Sequence, residues 1–168
     1  FYAEVGFSEV HRPYGGFDRI DVTEEDIAPL PFLEDTQGLR MDMAMFYAVI
    51  GRMDRAVGEM LEAIDSAGLA DNTLVVFMAD NGLMYHYAGT SGLSELIYRG
   101  GKTDHLEGGV RVDAFVRWKG VIKPGSYTGD IVHVSDLFTT FARLGQATQH
   151  IPTDRVIDGV DQTALQLK

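Results

Sequence analysis

Thr73-Leu74-Val75-Val76-Phe77-Met78-Ala79-Asp80-Asn81-Gly82 is the stretch on which the reading of this chain turns. Its first six residues form a short, nearly continuous apolar run, with Asp71-Asn72 before it and Asn81-Gly82 after it. Such a run predicts a strand buried on both faces, as in a mostly parallel sheet flanked by helices. In open sheets of that kind, ligands gather outside the carboxyl ends of the strands. Asp80 and Asn81 lie there. A carboxylate and an amide carbonyl are hard oxygen donors that suit calcium or magnesium. Gly82 lets the chain turn, so that two adjacent side chains need not point to opposite faces. The same tripeptide also suits a plain Asx turn that closes a strand.

Upstream, Met41, Ala44, Met45, Ala48, Val49, Met53, Val57, Met60, Leu61 and Ile64 recur at spacings of three and four. That pattern predicts one amphipathic helix from Gln37 to Ala67, with Gly68 as its C-cap. Its methionines read as adaptable core filler rather than metal ligands. Residues 1–10 alternate loosely and read as a strand entering a loop at His11-Arg12-Pro13-Tyr14-Gly15-Gly16. Residues 17–36 are acidic and read as a surface excursion. Downstream, a loop rich in Gly, Tyr and Ser covers 82–109, and Val110 to Trp118 reads as a second strand. Lys119 to Gly129 is a turn region, and Ser135 or Asp136 would cap a helix running to about Leu144. From Gln146 the tail is polar without a strong pattern. Helix, buried strand, loop, strand and helix together make an α/β class, here incomplete.

Composition narrows the function classes. At 168 residues the chain fits one domain, and 45% hydrophobic with 23% charged residues is ordinary for a soluble protein. A formal charge of -11 argues against a nucleic-acid partner, which would want a basic face. Any anion site must therefore be locally cationic. No apolar run has the length of a membrane span. The absence of cysteine excludes disulfides and thiolate metal sites within these residues.

A local cation is available. Lys102 lies between Gly100-Gly101 and Gly108-Gly109, where glycines permit close backbone approach. Its ammonium offers three donors to tetrahedral anion oxygens, although an exposed loop lysine would look the same. Glu107 and Arg111, four apart, read as structural polar residues not sharing a helix. His11, in His-Arg-Pro, suits donation to a leaving oxygen, and equally an incidental loop histidine. His86 and His105 fall in the Gly-rich loop and could line the same mouth. His133 and Asp136 straddle a strand-to-helix junction, where capping explains them better than metal binding. Asp154, Asp158 and Asp161 lack the spacing of an EF-hand.

Taken in order, these features resemble the sulfatase family, of the alkaline-phosphatase-like superfold. Gly68 to Phe77 is similar to the family's turn and metal-bearing strand, and Ala79-Asp80-Asn81-Gly82 to its metal motif. Gly101-Lys102 with Leu106 to Val112, Arg117 to Gly120, Ile122 to Gly125, His133 to Thr140 and Ile157 to Asp161 follow the later landmarks. The resemblance implies that Asp80 and Asn81 coordinate calcium, with magnesium the weaker choice. It implies that Lys102 contacts the sulfate, and that His11, in a His-x-Pro motif, assists at the leaving oxygen.

The family's formylglycine nucleophile arises from a Cys/Ser-x-Pro/Ala-x-Arg motif, and no such motif occurs here. Residues 1–168 are therefore expected to be a C-terminal portion of a catalytic domain, inactive alone, whose partner is the remainder of that domain. A nucleophile-bearing segment and a C-terminal subdomain are expected outside it. The implied substrate is a small-molecule or glycan sulfate ester, and a periplasmic, secreted or lysosome-like setting is favoured. Two rivals stand beside this reading: a phosphonate monoester or phosphodiester hydrolase of the same superfold, and a non-catalytic sulfatase-like binding module.

Overall fold

The computed structural model describes residues 1–14, 22–29, 33–84 and 98–166. They fall into two compact units, one of residues 1–67 and 78–113, the other of 68–77 and 114–168.

The first unit is built on α1, Gln37–Ser66, which has the extent that the apolar periodicity predicts. Thr36 caps it by accepting from the Leu39 N–H at 3.2 Å. At the other end the chain turns out of the helix at Gly68, whose φ of 69° is the left-handed conformation that favours glycine. Ala44 and Val49 are buried on the helix. Residues 22–29, part of the expected acidic surface excursion, are held onto it. Arg40 of α1 donates to the carbonyls of Glu24 at 3.2 Å and Ile27 at 2.6 Å, and Ile27 is buried. One guanidinium thus satisfies two carbonyls of an otherwise irregular segment.

Residues 1–8 form no strand. A strand exists through a neighbour's backbone groups, and no described residue supplies that neighbour. The 82–109 region is also not all loop, because Glu107–Val110 close a single helical turn, α2.

The second unit holds β2, Ala114–Arg117, and all but the last residue of β1, Val75–Met78, with which β2 pairs. Both strands fall within the expected stretches but are shorter. β1 is only half-buried and β2 mostly exposed, which departs from the expected burial on both faces. An apolar strand needs cover on each side of its sheet, and the two strands here supply only one lateral pairing. Phe77 and Phe115 meet with ring centroids 6.4 Å apart.

α3 runs Val134–Leu144, and His133 rather than Ser135 or Asp136 is its N-cap. The Ser135 N–H donates to His133 Nδ1 at 3.3 Å, while Asp136 accepts from the His133 N–H at 2.9 Å. The tail that has no sequence pattern clasps this helix. The Val160 N–H and Gln162 Nε2 donate to Asp136 at 2.9 and 3.0 Å, and the Gln162 N–H donates to Thr140 Oγ1 at 2.9 Å. Beyond the clasp, α4 covers Thr163–Gln166. Among the described residues, no helix is long and apolar enough to cross a membrane.

These donors hold the Asp136 carboxyl below the usual carboxylate range, the Val160 N–H first, then the His133 N–H and the Gln162 side chain. A lowered folded value means stability that is present above the unfolded value of about 3.9 and lost as pH falls through the folded one. Asp136→Ala is expected to lower the melting temperature at pH 7 and to speed amide exchange at Val160 and Gln162. Acidification below about pH 4 should do the same to the wild type. Equal melting of variant and wild type at pH 7 would show the clasp to be idle.

Candidate functional site

In the first unit three backbone segments meet without side chains between them. The Gly82 N–H donates to the Gly109 carbonyl at 2.9 Å, the Lys102 N–H to Leu83 at 2.8 Å, and the Gly108 N–H to Arg99 at 2.8 Å. A Cβ on Gly82 would lie 1.8 Å from the Gly108 oxygen, and one on Gly109 would lie 2.1 Å from the Asp104 oxygen. The glycines flanking Lys102 therefore serve the approach of backbone to backbone. Glu107 opens α2 and Arg111 is its extended C-cap, so the two do not share the helix, as expected. The Arg111 N–H donates to the Glu107 carbonyl at 2.8 Å, and their side chains pair at 3.1 Å. The Arg111 guanidinium also sits 4.6 Å from the centre of the Tyr98 ring, which closes the base of segment 98–111.

Lys102 occupies the second position of a turn closed by the Asp104 N–H on the Gly101 carbonyl at 2.9 Å. The third position is Thr103, at a φ of 85°. A turn of this kind normally takes glycine there, and a β-branched residue costs about 1–3 kcal/mol. Asp104 offsets this by accepting from the Gly101 N–H at 3.2 Å. The Lys102 side chain is half-buried, and its ammonium has no hydrogen-bond or ion-pair partner among the described residues.

Asp80 follows β1 by two residues, is exposed, and likewise has no partner among the described residues. Asn81 donates through Nδ2 to the Gly82 carbonyl at 2.9 Å, which orients the amide and leaves Oδ1 as an acceptor. Two hard oxygens in adjacent positions fit a divalent cation. Among the described residues no three His, Cys, Asp or Glu side chains gather to hold a metal, so these oxygens would form part of a ligand set.

The structure thus joins the Asn81-Gly82-Leu83 turn to Lys102 through backbone. His11 is held separately, by its N–H on the Ser8 carbonyl at 3.0 Å and by Nδ1 at 2.6 Å from the Arg12 carbonyl. His105 is exposed ahead of α2. His86 lies outside the described residues. His133 and Asp136 are occupied in capping α3, and Asp161 accepts from the Thr163 N–H at 2.9 Å at the start of α4. Sequence reasoning missed the pairing of Arg12 with Asp42, thirty positions apart and outside any local pattern.

A Sulfatase family model matches residues 4–147. The chain belongs to the sulfatase family. It is 46% identical to the steryl-sulfatase of Rattus norvegicus over 122 residues, covering 70% of this chain and 21% of that protein. It is 33% identical to the N-acetylgalactosamine-6-sulfatase of Homo sapiens over 152 residues, covering 90% of this chain and 28% of the relative. Among solved structures, a sulfatase from Pseudoalteromonas sp. superimposes with a TM-score of 0.60 at 34% identity, covering 74% of this chain and 24% of that one. The chain spans about a fifth to just over a quarter of the length of the relatives it matches. Its fold is part of the alkaline-phosphatase-like α/β fold of its structural neighbours.

Proposed function

We propose that this chain supplies the metal-binding and anion-binding part of a sulfuric ester hydrolase. The observation that carries the reading is the backbone junction that ties Asn81-Gly82-Leu83 to Lys102. It leaves the Asp80 carboxylate and the Lys102 ammonium without partners among the described residues. Asp80 and Asn81 hold calcium, or less well magnesium, through oxygen. When bound, that cation offsets negative charge on the sulfate oxygens.

Lys102 donates to a sulfate oxygen from a turn whose conformation is set before substrate arrives, so little reorganisation accompanies the reaction. His11 presents Nε2 to the leaving oxygen and, when both ring nitrogens carry protons, gives up the Nε2 proton there, leaving the neutral ring protonated at Nδ1. The nucleophile, a formylglycine, lies upstream in the remainder of the same catalytic domain, which is this chain's partner. The substrate is a small-molecule or glycan sulfate ester, met in a periplasmic, secreted or lysosome-like setting.

The full-length protein is expected to turn over an aryl sulfate faster than an aryl phosphate diester or phosphonate monoester. Residues 1–168 alone should turn over none of them. Lys102→Ala in the full-length protein should cost about 10²–10³-fold in kcat/KM on the sulfate. Preference for the phosphorus esters would replace the sulfatase reading with a phosphohydrolase one. No turnover by the full-length protein would leave the binding-module reading, and activity unaffected by Lys102→Ala would remove that lysine from the site.

A further inference from the structure

We infer that Arg12, gripped by Asp42 of α1, is the positioning residue that sets the ring orientation and tautomer of His11. The inference rests on the reading of His11 as the group at the leaving oxygen. His11 lies in an irregular segment, outside any helix or strand, whose backbone turns where the His11 N–H donates to the Ser8 carbonyl. Its Nδ1 is 2.6 Å from the Arg12 carbonyl oxygen, which only accepts, so Nδ1 carries the proton. Nε2 is then the one ring atom left to gain or lose a proton, and the hydrogen bond at the other nitrogen decides this.

That carbonyl belongs to a residue whose side chain is clamped. Arg12 Nη1 donates to Asp42 Oδ1 at 2.6 Å and Nη2 to Oδ2, a two-pronged grip between side chains each about two-thirds buried. The guanidinium also lies 4.6 Å from the centre of the Tyr14 ring. Tyr14 in turn meets Phe46, with centroids 5.9 Å apart. Asp42 and Phe46 are four apart on α1 and so share a face. The clamp therefore seats the segment on the longest helix at two adjacent points. A lysine at position 12 would keep the charge but lose both the fork and the flat stacking surface.

The test uses the full-length protein. Arg12→Ala and Asp42→Asn are expected to lower kcat about 10–100-fold and about 5–10-fold, with KM changed less than about threefold. Arg12→Lys should not restore it. In a His11→Ala background the same substitutions should cost less than about twofold, because their effect passes through the ring. An equal loss in both backgrounds would make the clamp a scaffold and overturn the inference.

Nitrogen shifts of the histidine ring give a readout independent of turnover. Wild-type His11 should show a protonated Nδ1 with Nε2 unprotonated in its neutral form, and Asp42→Asn should move the ring toward an Nε2 proton. A neutral wild-type His11 whose single ring proton sits on Nε2 would overturn the inference even if no variant folds. If His11→Ala leaves activity intact, the leaving-oxygen reading fails, while the ring shifts still judge the clamp.

Discussion

Asp80→Ala in the full-length protein is expected to lower kcat/KM on a sulfate ester on the order of 10³-fold, with loss of bound calcium. The carboxylate is exposed and has no partner among the described residues, so its removal leaves no buried donor stranded. Melting of the metal-free protein should therefore shift little. What is lost is a hard anionic ligand, which a divalent cation needs more than it needs any single neutral oxygen. Asp80→Asn keeps an oxygen and drops the charge. Its activity should recover in part as calcium is raised, whereas that of Asp80→Ala should not. Calcium content and kcat/KM at increasing calcium check both statements. Retention of stoichiometric calcium by Asp80→Ala would move the metal site elsewhere.

Gly82→Ala and Gly109→Ala should act on the scaffold, each costing about 3 kcal/mol or more and disordering the Lys102 turn. The added carbon would stand 1.8 Å from the Gly108 oxygen in the first case and 2.1 Å from the Asp104 oxygen in the second. Both obstacles are backbone atoms, which cannot rotate away as a flexible side chain does. Gly51→Ala is the control. Gly51 lies inside α1 with nothing within 4 Å of an added Cβ among the described residues. Alanine there should stabilise by about 0.5–1 kcal/mol through its better helix propensity. Opposite signs of the melting-temperature change for one chemical substitution separate contact from propensity. A neutral Gly82→Ala would mean that the three segments do not meet as described.

Local patterns carried much of this protein into view. The apolar stripe of α1 recurs every three or four residues, and a helix answers to that period within its own length. β1 and β2 were legible for a similar reason, although their cover was not, since burial depends on what lies across the sheet. Asp80, Asn81 and Lys102 stood out because each lies beside glycine or at a strand's end, features written in adjacent letters.

The sequence by itself thus determined the α/β class, the family resemblance and the identity of the candidate ligands. Tertiary structure alone decided four other matters. The glycines of 82 and 108–109 pack on backbone, Arg12 pairs with Asp42, the tail clasps Asp136, and residues 1–8 find no strand partner among the described residues. Each of these is settled by atoms far apart along the chain. Propensity and periodicity report how a segment treats its near neighbours, whereas a hydrogen bond across thirty residues leaves no period to read.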